Sequence, residues 1–299
     1  MIISASRRTD IPAFYAEWFI NRIRAGSFMK VNPYNRKQIK KVSLAADHVD
    51  AIVFWSKNPR PILRYLPELL DKGYKSIMHY TLNDYPDALE PGVPSLSYRI
   101  DTFRRLADVL GPEHMVWRYD PIILSNQTDA CYHLERFAHI AKELNGQTSR
   151  VVISFMDFYA KTKGRLARLE TEKEYVFFDW LSPDQTEKLT DLVKGLSSIA
   201  RENGMSITTC SEQVNLEKYG IMHGACIDQA YIEKVLNHSL LVKKDKYQRA
   251  ECGCAESIDM GSYDTCPFGC PYCYAVRSDK LVLANRKKHD PMSPYLIGE

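Results

Sequence analysis

Six short runs rich in apolar and β-branched residues punctuate the chain: MIISAS (1–6), AIVFWS (51–56), SIMHYTL (76–82), MVWRYDPII (115–123), RVVISF (150–155) and SITTC (206–210). Most are apolar at both odd and even positions, the pattern of strands buried on both faces. Between them lie stretches with apolar residues at helical spacing, over 13–25, 61–72, 98–110, 130–144 and 183–203. The last opens with Ser182 as its cap and Pro183 at the first helical position. Repeated βα alternation predicts an α/β fold with a parallel sheet. Six units fall short of the eight in a complete barrel, so the expected architecture is a partial (β/α)6-type TIM-like barrel. An open doubly wound sheet is the alternative.

Polar residues gather where the strands end: Ser6 to Asp10, Ser56 to Asn58, Thr81 and Asn83, Arg118 to Asp120, Met156 and Asp157, and Cys210 to Glu212. Parallel sheets bind ligands at that edge, so a pocket is expected there. Arg7 and Arg8 can clamp a carboxylate or phosphate, or pair with Asp10. Asn58 and Asp120 share the rim, although Asp120 before Pro121 can also serve as a cap, as can Asp10 before Pro12. Glu212 is placed to hydrogen-bond ribose hydroxyls. The pattern puts Cys131 in a helix core and His79 on a strand.

After about Leu241 the helical periodicity stops and Gly, Cys, Asp and Tyr dominate. This divides the chain into a βα barrel, 1–241, and a cysteine-rich cap, 242–299. Ordering such a segment costs roughly 1–2 kcal/mol per residue of backbone, and a bound metal centre is a sufficient compensation. Five of the eight cysteines, Cys252, Cys254, Cys266, Cys270 and Cys273, lie here. The N-terminus has an Arg pair where a signal peptide needs its apolar region, and no apolar run approaches a membrane span. A cytoplasmic protein is expected, with no membrane partner, and in a reducing compartment clustered cysteines are metal ligands or redox groups more often than disulfides. The net charge of +3 is too balanced to imply a nucleic-acid coat. The basic run 243–249 reads as a solvated face, with backbone tracking of a nucleic acid as its alternative.

Cys266, Cys270 and Cys273 have the spacing C-x3-C-x2-C. Three thiolates in one tight loop leave an open coordination position, which suits an iron–sulfur cluster better than a closed structural zinc site. Cys210, Cys226, Cys252 and Cys254 could supply a second site, an auxiliary [4Fe–4S] cluster or a zinc. For Cys210 and Cys226 the other reading is buried free thiols packing as small hydrophobes. No phosphate loop, dinucleotide fingerprint or paired-histidine zinc motif is present.

The loop resembles the signature of the radical S-adenosylmethionine superfamily, C-x3-C-x-aromatic-C, with Tyr272 at the aromatic place. The resemblance implies that Cys266, Cys270 and Cys273 hold a [4Fe–4S] cluster and that Tyr272 lies by the adenine of S-adenosylmethionine. It also implies a partial or full βα barrel, an electron donor as partner, and hydrogen abstraction from a substrate. The sequence does not single that substrate out: rim residues such as Arg7, Asn58 and Asp120 suit a nucleic acid, a peptide or an anionic small molecule equally. In that superfamily the motif follows the first strand, so here the C-terminal loop is expected to fold back over the barrel mouth. The superfamily's glycine-rich second-strand motif is absent. From SRRTDIPAF through FWSKNP and WRYDP to YDTCPFGCPYCYA, the chain is also similar to a widespread microbial domain family of unknown function. The competing expectation is a non-catalytic, metal-stabilised barrel that binds an anionic ligand or nucleic acid.

Overall fold

A computed structural model describes residues 1–180, 182, 185–212, 214–249 and 251–298. Its strands are β1 (Ile2–Ala5), β2 (Ser27–Asn32), β3 (Asn35–Ser43), β4 (Ala51–Ser56), β5 (Ser76–Thr81), β6 (Met115–Ile122), β7 (Arg150–Phe155), β8 (Ser206–Cys210), β9 (Met222–Gly224) and β10 (Ser257–Asp259). The helices are α1 (Ile11–Phe14), α2 (Ala16–Arg24), α3 (Leu66–Asp71), α4 (Leu96–Leu110), α5 (Ala130–Glu143), α6 (Lys163–Lys173), α7 (Thr186–Glu202), α8 (Gln229–Leu236) and α9 (Asp279–Lys287).

Eight strands form one parallel sheet in the order β10-β1-β4-β5-β6-β7-β8-β9, and β2 and β3 form a separate antiparallel ribbon. All six expected strands are present. The two additional ones are three residues each, too short for an apolar period to reveal them. Among the described residues no ladder joins β9 to β10, so the sheet is open at both edges rather than a closed barrel.

Side-chain alternation gives the sheet two different faces. Ile3, Ile52, Phe54, Met78, Trp117 and Ile153 belong to the larger core, with Phe19, Phe103, Phe137 and Leu196 from helices α2, α4, α5 and α7. Ile2, Val53, Ile77, Val116 and Val152, on the opposite face, pack with Ile232 and Leu236 of α8 and with Cys226, Cys252 and Cys254. The strands from β1 to β9 therefore run in chain order with their crossover helices on one side, unlike a doubly wound sheet, which clothes both faces.

The helices begin where capping chemistry permits. Ser95 accepts a hydrogen bond from the Tyr98 amide, Asp129 from Tyr132 and Asp228 from Tyr231, each satisfying an amide that a helix start leaves free. The expected helix over 13–25 is broken at Tyr15, and that over 61–72 begins as a 3₁₀ turn, Arg60–Tyr65. Pro183 lies outside the described residues. Cys131 faces solvent, contrary to the core position expected for it. The buried side of α5 carries His133, Phe137, Ile140 and Ala141, and a residue two positions before His133 sits more than half a turn away from that stripe.

Candidate functional site

The cysteine loop leaves the end of β10, which lies hydrogen-bonded and parallel beside β1 with Ile2 opposite Ser257 and Ser4 opposite Asp259. Asp259 accepts from Ser6 Oγ at 2.7 Å and from the Arg7 amide at 3.0 Å. Beyond it, Thr9 Oγ1 meets Thr265 Oγ1 at 2.7 Å, and Tyr15 donates to the Thr265 carbonyl at 2.7 Å. The approach at Gly261 is so close that a Cβ there would fall 1.9 Å from Ser6 Oγ. The tail is thus fastened to the segment that follows β1, which brings the cysteine loop to the rim.

Cys266, Cys270 and Cys273 line one pocket of about 150 Å³ together with Asp10, Ser56 and Lys57 from the ends of β1 and β4. Burial pushes the Cys266 and Cys273 thiols upward and Cys270 to about 12, with Lys57 opposing the rise at Cys270. Left to themselves these thiols stay protonated. A soft, positively charged centre that displaces their protons is the chemistry such a donor set fits. Asp10 ties the rim together by accepting from the Ala13 amide, Ser56 Oγ and the Lys57 amide at 3.0, 2.6 and 2.8 Å. It is both the expected cap and a bridge between two strand ends.

Beneath the loop lies a buried polar network that the sequence does not announce. Lys57 Nζ donates to Glu90 Oε1 at 2.7 Å, the Tyr272 hydroxyl donates to the same oxygen, and Arg99 Nη1 stands 3.9 Å from Oε2. Burial pushes the Glu90 carboxyl up, but Lys57 and Arg99 outweigh it and hold the group below its usual range. Lys57 also lies 5.7 Å from the centre of the Tyr272 ring. Glu90 was missed because it sits in an irregular stretch far from any strand end; no spacing marks it.

A larger cavity of about 850 Å³ adjoins this pocket and shares Ser6, Arg7, Trp55, Lys57, Tyr272 and Cys273 with it. Its lining also includes Asp120, Glu212 and all four of Cys210, Cys226, Cys252 and Cys254. Cys210 and Cys226 are joined by a disulfide, so in this state neither is the free thiol or thiolate ligand that the sequence suggested. The end of β8 and the turn after β9 bring them together, a proximity that their sequence spacing does not encode. Cys252 and Cys254 remain free and hydrogen-bond each other, which holds the Cys252 thiol down and the Cys254 thiol up. Arg118 donates to Cys226 Sγ at 2.9 Å, and the Ile227 amide donates to Cys254 Sγ at 3.3 Å.

The other expected site residues divide. Arg7 is 3.8 Å from Asp245 and 5.6 Å from the Trp55 ring centre, and its Nη2 is buried with no hydrogen-bond partner among the described residues. Arg8 pairs with Asp259 at 3.6 Å on the smaller pocket. Asp120 is gripped by Arg118 Nε at 3.0 Å and by Ser154. Asn58 lines neither cavity, and its amide donates to Ser56 Oγ. His79 stacks on Trp55 with ring centres 4.4 Å apart, and burial with Arg118, Arg150 and Arg7 nearby holds it neutral. The run 243–249 is not simply solvated, because Asp245 is buried and Arg249 lines the cavity.

Glu212 accepts from the Phe155 amide at 2.8 Å, and burial raises its carboxyl to about 7. A carboxyl raised on folding favours the protonated native state, so its contribution is full at low pH and lost as pH rises through about 7. Between pH 5 and 8 the native chain should lose stability relative to Glu212→Gln, by up to about 3 kcal/mol. Denaturant titrations at several pH values check this; parallel curves for the two chains would refute it.

Among the described residues, no group of three or more His, Cys, Asp or Glu side chains is gathered so as to hold a metal ion. A single tetrahedral zinc needs every sulfur within about 2.3 Å of one point. A cluster spreads its thiolates over several irons, a looser demand than convergence on one point.

An open, parallel α/β sheet with a cysteine-lined cavity at its strand ends defines the class of protein. Residues 2–275 match the family described as a domain of unknown function, DUF1848, and the chain belongs to that family. A search of curated proteins finds no match. No helix among the described residues is long and apolar enough to cross a membrane.

Proposed function

We propose that this chain is a radical S-adenosylmethionine-type enzyme, with Cys266, Cys270 and Cys273 as ligands of a [4Fe–4S] cluster. The observation that carries the reading is the position of the motif. It follows β10, a strand paired in parallel with β1, so the loop leaves the sheet beside the end of the first strand, which is the strand that precedes the motif in the superfamily. When bound, such a cluster supplies the electron that cleaves S-adenosylmethionine to 5′-deoxyadenosine and methionine through a radical. The sheet, with its crossovers on one side, is read as the wall of a partial barrel.

The chain's own groups have roles that follow from their placement. Lys57 puts a cation beside the thiol of Cys270 and so offsets the negative charge that three thiolates bring. Glu90 holds the Tyr272 hydroxyl and Lys57 together, orienting the ring that borders both cavities. Arg7, with one nitrogen unpartnered, is the group available for a carboxylate. Asp120 and Glu212 face the larger cavity, where hydroxyl groups of a cosubstrate or substrate can reach them. An electron donor is required as partner.

The second group of cysteines supports a second metal centre. Reduction of the Cys210–Cys226 disulfide by a dithiol, itself oxidised to a disulfide, yields four thiols around one cavity. Charge-assisted donation from Arg118 onto sulfur suits an anionic sulfur better than a disulfide.

Protein reconstituted anaerobically with iron and sulfide, then incubated with S-adenosylmethionine and dithionite, is expected to form 5′-deoxyadenosine. A colourless protein that binds zinc and forms none would replace this reading with a metal-stabilised binding protein.

A further inference from the structure

The ribbon of β2 and β3 stands apart from the sheet. From Ser27 to Ser43 it carries Lys30, Arg36, Lys37, Lys40 and Lys41 and no Asp or Glu. Seven consecutive residues of β3, Asn35 to Lys41, are exposed, so over that length neither face of the strand is covered. An isolated two-stranded ribbon is marginally stable in water, and this one presents charge instead of an apolar face. Among the described residues its base, at Phe28 and Val42 with Leu44 just beyond it, enters the core.

The turn of the ribbon is not remote from the site. Tyr34, 90% exposed, lines the larger cavity and its hydroxyl faces that of Tyr263. Around the same mouth, Arg8 and Lys161 lie 5.3 and 5.0 Å from the Tyr263 ring centre, and Arg249 lies 5.6 Å from that of Tyr159. Tyr159 and Tyr274 are 5.6 Å apart. Aromatic faces interleaved with cations, continued outward by a basic track, form the pattern that binds single-stranded nucleic acid: bases stack on the rings while phosphates follow the charge. An acidic protein segment would be served by the cations alone and has no use for four tyrosines at the mouth.

We propose that the β2–β3 ribbon is a docking arm for single-stranded nucleic acid, and that the tyrosine-lined mouth receives a base of that strand into the larger cavity. This names the substrate class of the cavity and rests on the proposed function for its catalytic meaning, but not for its binding.

The test is fluorescence anisotropy with labelled 20-nucleotide DNA and RNA strands, without S-adenosylmethionine, across a salt series. The native chain is expected to bind. The combined variant Arg36→Ala, Lys37→Ala, Lys40→Ala, Lys41→Ala is expected to bind at least tenfold more weakly, with a log–log salt slope shallower by about 3. Tyr34→Ala should weaken binding about tenfold with an unchanged slope. All five positions are exposed, and unchanged circular dichroism and melting temperature will show that the fold persists. Binding unaffected by these variants, tighter binding of a duplex, or equal competition by polyglutamate would each overturn the proposal. Cys270→Ser separates it from the cluster reading: strand binding should survive in that chain when deoxyadenosine formation is lost. If native protein forms deoxyadenosine but binds no strand, the arm fails and the enzyme reading stands.

Discussion

Glu90→Leu is expected to destabilise the chain by about 3–5 kcal/mol. The carboxylate is buried with Lys57, Arg99 and the Tyr272 hydroxyl around it. Removing one partner of a buried ionic group strands the charge of the others, which costs more than the pair itself contributes. Among the described residues Lys57 has no second carboxylate at hydrogen-bond distance, whereas Arg99 keeps the carbonyls of Asn83 and Pro94 at 2.6 and 2.9 Å. Lys57 should therefore suffer most, and Glu90→Leu with Lys57→Met should recover part of the loss. The sign with pH follows from the lowered Glu90 carboxyl. Its contribution is present at neutral pH and disappears as pH falls through its folded-state value, so the native and variant chains should converge in acid. Urea denaturation at pH 7 and at a pH well below the usual carboxylate range measures both; a loss below about 1 kcal/mol at pH 7 would show that the network is not what holds the loop.

Cys270→Ala is expected to abolish 5′-deoxyadenosine formation and to lower bound iron to background after reconstitution. Cys270 is the most enclosed of the three loop thiols, packed with Phe268 and Tyr272 and close to Lys57. A cluster held by two thiolates would have two open irons and be exposed to loss, and among the described residues no His or carboxylate lines the smaller pocket to replace the third except Asp10, which is committed to Ser56, Lys57 and Ala13. Cys131→Ala supplies the control, because that thiol is on the solvent side of α5. Iron analysis, the visible spectrum and product chromatography on the two variants read the outcome. Full product from Cys270→Ala would remove the loop from the chemistry.

What was legible in the sequence followed from strong local periodicity. β4 to β8 are apolar at successive positions because both sheet faces are covered, and α4, α5 and α7 carry apolar stripes that pack on one of them. The rim residues were visible because the end of a strand is where such a run stops. The parts that escaped lack a period. β9 and β10 are three residues long, and the ribbon reads as polar because nothing packs on most of it. Within the site, C-x3-C-x2-C marked one loop because its residues are neighbours in sequence. Glu90, Arg165 and the Cys210–Cys226 link come together only in three dimensions; Arg165, for example, donates to the Cys273 carbonyl at 2.6 Å from a helix more than a hundred positions earlier.

The pairing of β10 with β1 also sets a timetable. The residues that complete the first strand's environment lie far along the chain: Ser6 and its acceptor Asp259 are separated by 253 positions. At roughly 5–20 residues per second of synthesis, β1 waits on the order of ten seconds or more with one backbone edge unpaired. An open strand edge is a template for association with other chains, and contacts between distant residues are slow to form. The cysteine loop emerges only after that wait, onto a sheet whose other strands are already made. A ribosome stalled before Ser257 would therefore carry a nearly complete sheet with an unprotected edge and no cysteine loop to close over its rim. Quality control of this protein should act on that edge, and chaperone capture of nascent chains is the place where the late arrival of β10 will be felt.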